Sequence, residues 1–68
     1  MEIGQSIQEA RKKAKLTQKE LAEKVGIATI TVQQYERGVR TPKIETLQKI
    51  AQALNIDVGV LYLSLIHI

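Results

Sequence analysis

The side chains able to do chemistry lie in one stretch, residues 17–43. What they offer is hydrogen bonding and charge pairing. Thr29, Ile30 and Thr31 are followed closely by Gln33 and Gln34. A glutamine amide can bond the edge of adenine, and Thr or Ile can touch the methyl of thymine. Gln18 opens a predicted helix, where an amide and a helix N-terminus together can hold a phosphate. Arg37, Arg40 and Lys43 cluster around a predicted loop and could flank a groove. Two exposed glutamines alone are explained as well by a solvated helix face. The base-reading expectation rests on the whole pattern.

Other chemistries find little support. The single histidine, His67, stands two residues from the end, and there is no cysteine. No serine adjoins a candidate base, and no glycine-rich phosphate loop or metal-ligand cluster is visible. Glu20 and Glu23 are helix-surface acids, not a catalytic pair. No enzyme activity, cofactor or metal is expected. The formal charge of +3 suits an anionic partner without proving one. No apolar run approaches a membrane span and no signal peptide precedes the first helix, so a cytoplasmic protein is expected.

Five predicted helices must position these residues. Sixty-eight residues make one small domain. With no Phe or Trp, its core must come from Ile, Leu, Val and Ala. After the short lead Met1–Glu2, Ile3, Ile7, Ala10 and Ala14 recur at helical intervals, predicting a first helix that ends near Lys15. The basic run Arg11, Lys12, Lys13, Lys15 in its last turns suits either the helix C-terminus or phosphates. Leu16 is a buried connector. Thr17-x-x-Glu20 fits a capping box for helix two, with Leu21, Ala22 and Val25 inward. Gly26 marks the turn, and Ile27 tucks into the core. Helix three is predicted from about Ala28 to Arg37, with Val32 and Tyr35 inward and Gly38 ending it. Thr41 is the expected cap of helix four, with Pro42 in its first position. Ile44, Leu47, Ile50, Ala51 and Leu54 form its inner face, and Asn55 stops it. Ile56 plugs the core, Asp57 caps, and helix five begins at Val58 with Val60 and Leu61 inward. Two short helices joined by a tight turn at Gly26 form a helix-turn-helix, whose second helix suits the DNA major groove.

The segment TQKELAEKVGIATITVQQYERGVRTPKIETLQKIAQALNI resembles the Cro/repressor-type helix-turn-helix family, the lambda-repressor-like DNA-binding domains. The specific parts are Thr17-Gln18-x-x-Leu21-Ala22, Gly26, Tyr35-Glu36-Arg37-Gly38-x-Arg40-x-Pro42 and Leu47-x-x-Ile50-Ala51-x-Ala53-Leu54. The resemblance implies an all-α fold over residues 1–62, a compact five-helix lambda-repressor-like bundle that binds operator DNA as a homodimer. By the same resemblance Gln18, Arg40 and Lys43 would hold phosphates. Thr29, Ile30, Thr31 and Gln34 would face base edges, with Gln33 at the groove wall. Arg11 and Glu36 match positions that often pair between helices one and three. Glu36 is then structural, and Arg11 partly structural with a phosphate nearby. Tyr35 matches a core aromatic. Two positions depart from the family. Ala28 stands where a capping Ser or Thr is usual, at a cost of about 1 kcal/mol, unless Thr29 takes over and the helix starts one residue late. Ile30 is apolar at an outward site, and would read a thymine methyl or touch a partner.

The function this implies is sequence-specific binding of double-stranded DNA at a palindromic operator, as a transcriptional regulator, read as a repressor, that enters the major groove with helix three. The alternative on the same fold is an antitoxin-type module that binds a toxin partner and also regulates its own promoter. The tail LSLIHI, residues 63–68, does not fit the family. One reverse translation, CTG TCT CTT ATA CAC ATC, is the mosaic-end sequence of a transposon-based sequencing adapter. The tail is therefore read as a library artefact, which leaves His67 without function. The other reading is a natural extension whose Leu63, Leu65 and Ile66 pack on the core or a partner.

Overall fold

The computed structural model describes residues 3–62. Four helices build the bundle: α1 (Ile3–Lys13), α2 (Gln18–Val25), α3 (Thr29–Glu36) and α4 (Ile44–Leu54). The all-α, lambda-repressor-like class stands, but the compact five-helix bundle is corrected to four helices. The remaining helical segment, Val58–Tyr62, is five residues long, little more than one turn. It adds one fully buried side chain, Leu61, to the core. The expectations for Met1, Glu2 and residues 63–68, and for the Val60 side chain, lie outside what is described.

The core is aliphatic apart from Tyr35. Ile3 and Ile7 of α1, Leu21 and Ala22 of α2 and Val32 and Tyr35 of α3 meet Leu47, Ile50, Ala51 and Leu54 of α4. On α1 the inward stripe runs Ile3, Ile7, Arg11 at intervals of four, so the helical period itself carries Arg11 to the inner face. Gly4 lies on the same side. A Cβ there would collide with the Tyr35 carbonyl oxygen and crowd the Glu36 carbonyl. Only glycine lets α1 lie this close to the end of α3, a role the sequence does not announce.

Three of the four links between helical segments share one grammar. Each has a left-handed residue, then an apolar residue, then a cap: Lys15-Leu16-Thr17, Gly26-Ile27-Ala28 and Asn55-Ile56-Asp57. In each, the apolar residue's N–H turns back to a carbonyl five residues earlier. The bonds are Leu16 to Arg11 at 3.1 Å, Ile27 to Ala22 at 3.0 Å and Ile56 to Ala51 at 3.0 Å. That closure satisfies carbonyls the helix end would orphan. It also drops Leu16, Ile27 and Ile56 against the core. Each of them precedes a cap, in the position from which a hydrophobic staple reaches the fifth residue beyond it. Those fifth residues are Leu21, Val32 and Leu61, all buried. Gly26 takes φ 84° with nothing near its Cβ position, so the backbone conformation alone calls for glycine there. Lys15 takes φ 60° without that freedom. This turn ends α1 at Lys13 rather than near Lys15, because Leu16 must reach the core.

The link from α3 to α4 is the exception. It begins in the same way, with Gly38 at φ 77° and Val39 N–H returning to the Gln34 carbonyl at 3.0 Å. Arg40, Thr41 and Pro42 then intervene before Lys43, so Val39 stays 68% exposed. The expected cap at Thr41 is corrected here. Lys43 is the N-cap of α4, without a side-chain bond, and α4 begins at Ile44. Pro42 is buried one residue before the cap, where it can staple to buried Leu47. As the first helical residue, Ile44 points outward at 59% exposure and leaves the inner face assigned to it.

The Thr17 capping box forms as its spacing requires. Glu20 N–H donates to Thr17 Oγ1 at 3.0 Å, and Thr17 N–H donates to Glu20 Oε1 at 2.8 Å. The Thr17 backbone bond, then its hydroxyl, holds the Glu20 carboxyl below its ordinary value. A lowered carboxyl stabilises the fold above its unfolded value, and that contribution goes as pH falls through the folded one. An NMR titration should find Glu20 below the ordinary glutamate range, and Thr17→Ala should move it part of the way back. At the next helix, Ala28 has the extended backbone of an N-cap, φ −74° and ψ 148°, but no side-chain bond. The helix therefore starts at Thr29 with no substitute cap. Ala28→Ser should raise unfolding free energy by about 1 kcal/mol in urea titration.

Candidate nucleic-acid interface

α2, the Gly26 turn and α3 form the helix-turn-helix, and α3 has two unlike faces. Val32 and Tyr35 are buried. At about 100° per residue, Ile30 and Gln34 project nearly opposite to Val32. They lie four residues apart and so share one face, a turn from each other. Ile30 is 57% exposed. Thr29, Thr31, Gln33 and Gln34 are half-buried along the flanks and middle of this outer surface. The cations expected at the groove edge are all exposed: Arg37 is the C-cap of α3, Arg40 lies in the α3–α4 link and Lys43 is the N-cap of α4.

Glu36 is the single acid between Val25 and Lys43. A free carboxylate at the end of this face would repel a polyanion. The fold turns it inward and leaves its side chain 2% exposed. Arg11 Nε donates to Glu36 Oε2 at 2.7 Å, and Arg11 Nη2 donates to Oε1 at 3.2 Å. Gln18 Nε2 donates to the same Oε1 at 3.0 Å. The remaining Arg11 nitrogen, Nη1, donates to the Leu16 carbonyl at 2.8 Å. A two-pronged guanidinium–carboxylate pair fixes orientation as well as proximity. One buried acid thus ties α1, the α1–α2 link, the first residue of α2 and the last residue of α3 together.

This arrangement gives two of the expected phosphate ligands a second occupation. Arg11 is 9% exposed and bonded through all three of its nitrogens. Gln18 is half-buried, with one amide hydrogen directed at Glu36. Its other hydrogen and its carbonyl remain, beside the first-turn amides of Gln18 and Lys19, which the Thr17 cap does not take. Two features had no signature in the sequence: the Leu16 carbonyl as an Arg11 acceptor, and the Gln18–Glu36 bond. Spacing carries no information about which carbonyl a folded-back link will present. Among the described residues no group of side chains could hold a metal ion, and no helix is long and apolar enough to cross a membrane.

Removing one member of a buried pair leaves the other without its counter-charge. Arg11→Ala should therefore destabilise the domain by about 3 kcal/mol, the lower end of the range for such pairs, since Arg11 keeps slight contact with solvent. The double replacement Arg11→Met, Glu36→Leu should lose less than Arg11→Ala alone. Urea denaturation of the three proteins checks both statements.

The same architecture occurs in proteins of known behaviour. Residues 7–61 match the family described as Helix-turn-helix. The chain is 42% identical over 57 residues to the HTH-type transcriptional regulator ImmR of Bacillus subtilis (strain 168), covering 84% of this chain and 45% of that protein. It is 41% identical over 59 residues to the immunity repressor protein of Bacillus phage phi105, covering 87% and 41%. It thus spans less than half the length of these curated relatives. Among solved structures, the DNA-binding domain of the P22 c2 repressor superposes with a TM-score of 0.86 at 31% identity, covering 90% of this chain and 80% of that one. The biofilm regulator SinR, solved in complex with DNA, gives 0.82 at 38% identity, covering 87% and 95%. With this likeness running through the motif and through the helices that brace it, the chain belongs to the Cro/repressor-type helix-turn-helix family.

Proposed function

We propose that this chain is the DNA-reading part of a transcriptional repressor and that it enters the major groove of double-stranded DNA with α3. The observation that carries the reading is the outer face of α3. It is free of core duty, free of exposed acid, and followed by three exposed cations. The family is one of DNA-binding regulators and not of enzymes. The structures of SinR with DNA and of the P22 c2 repressor with a synthetic operator support the same mode of use here. The relatives are named as regulators and repressors, so the antitoxin alternative and its toxin partner are withdrawn.

Thr29, Ile30, Thr31 and Gln34 read base edges from the first turns of α3, with Gln33 along the groove wall. Arg37, Arg40 and Lys43 hold the phosphate backbone. The remaining side-chain amide hydrogen of Gln18 and the uncapped backbone amides of Gln18 and Lys19 face another phosphate, the Glu20 amide being taken by Thr17. Arg11 leaves the phosphate set, since each of its three nitrogens already donates inside and its side chain is only 11% exposed, and serves instead to lock α1 to α3. Two copies bind a two-fold operator, with half-sites about one helical turn of DNA apart. The protein works in the cytoplasm, on the chromosome.

Selection from a random duplex pool with the folded chain should enrich inverted half-sites. Base readers and phosphate holders should then separate in binding titrations. Gln34→Ala should lose about 1–3 kcal/mol, concentrated at one base pair. Arg40→Ala should weaken all sequences alike and reduce the salt dependence by about one unit of slope. Equal losses of both variants on specific and random duplexes would remove the base-reading assignment.

A further inference from the structure

We infer that Glu36 is a positioning residue for phosphate recognition. Its buried carboxylate fixes which end of the Gln18 amide faces outward, and so makes Gln18 a donor to the DNA backbone. The inference rests on the DNA-reading function proposed above, and it gives the buried acid a part in binding as well as in folding. Its starting point is an ambiguity built into glutamine. A primary amide carries donor hydrogens on its nitrogen and an acceptor oxygen beside it. Rotated by half a turn about its last bond, the side chain presents the oxygen where the nitrogen was. A phosphate only accepts, so one orientation holds it and the other repels it.

Glu36 removes that ambiguity. An ionised carboxylate has no hydrogen to give, so only the Gln18 nitrogen can face it. Gln18 Nε2 donates to Glu36 Oε1 at 3.0 Å, and among the described residues Glu36 is the one bonding partner of the Gln18 side chain. Arg11 pairs with the same carboxylate through Nε and Nη2. The charge that orients the amide is therefore balanced from within. With the inner hydrogen taken, the outer one is held in a plane that the carboxylate sets. The backbone is fixed too, since Gln18 is the first residue of α2, directly after the Thr17 capping box. The backbone amides of Gln18 and Lys19 lie in the same turn and are not taken by that cap. A phosphate at this point meets a side-chain donor already aligned beside them. An apolar residue at position 36 would leave the amide to turn, and the phosphate would have to order it.

The test uses the full chain and the duplex it enriches from a random pool. Each phosphate of that site is replaced singly by a methylphosphonate, which exchanges a charged oxygen for a methyl group. At one phosphate per half-site this should weaken binding about tenfold, the worth of one charge-assisted hydrogen bond. Gln18→Met should abolish that sensitivity. The Arg11→Met, Glu36→Leu protein keeps Gln18 and the net charge. Its sensitivity at the same phosphate should fall to about threefold, because binding must then immobilise a loose side chain. Phosphates that answer to Arg40→Ala should keep theirs, and urea denaturation verifies that each variant is folded. Full sensitivity in the double variant, or no phosphate that answers to Gln18→Met, would overturn the inference and leave the repressor reading standing. NMR of the unaltered chain decides the matter if the double variant does not fold. On addition of the duplex, one Gln18 side-chain amide proton should shift and the one bonded to Glu36 should stay. Both shifting alike, or neither shifting, would overturn the inference as well. No enriched sequence at all from folded protein would overturn both.

Discussion

A carboxylate taken out of water must be met by donors, and Glu36 is met by three hydrogen bonds from two elements. The rest of the domain is arranged to make that meeting possible. Gly4 lets α1 approach the end of α3. The four-residue spacing from Ile7 carries Arg11 to the inner face of α1. The capped start of α2 delivers Gln18. The angle at which α3 leaves the bundle is therefore set by directional bonds at its last residue and by apolar packing along Val32 and Tyr35. A buried pair of this kind contributes little net stability compared with a well-packed apolar substitute. Its value here is geometric, because the outer face of α3 can be presented to a groove only if the helix is held at both ends and on one side.

The links explain how so small a chain achieves this. A left-handed residue, an apolar plug and a cap close one helix and open the next within three residues. The plug adds to the core from a position that would otherwise be loop. Sixty-eight residues cannot bury a large core, and using the connections as core material offsets part of that shortfall. Only the α3–α4 link departs from this economy. It exposes Val39 and Arg40 and places them beside the face that carries the candidate contacts. A segment released from packing in an otherwise closely packed domain is where recognition is generally found.

The start of α3 shows the opposite bias. Thr17 and Asp57 cap their helices with side-chain bonds, but Ala28 supplies none. The Thr31 amide turns back to the Ala28 carbonyl at 3.0 Å, which leaves the Thr29 and Ile30 amides without a side-chain cap. Some intrinsic helix stability is forgone at this end of α3.

The sequence by itself determined the elements and their punctuation. The helical period placed Ile3 and Ile7 of α1, Leu21 and Ala22 of α2 and Val32 and Tyr35 of α3 in the core, whereas Ala14, expected on the same stripe of α1, is exposed beyond its end. Thr17 with Glu20 and the glycine at position 26 marked boundaries that depend only on near neighbours. Pro42 misled for the same local reason. Its fixed φ suits a first helical turn, but burial of its ring against the core placed it before the cap instead. The pairing of Arg11 with Glu36 was legible only through family resemblance, because the two residues are twenty-five positions apart. Tertiary structure alone decided the acceptors that complete that network, the need for glycine at position 4, the outward turn of Ile44, and the reduction of the fifth helix to a single turn. All of these depend on which surfaces meet, and that is settled when four amphipathic faces close on one another, not by the order of residues along any one of them.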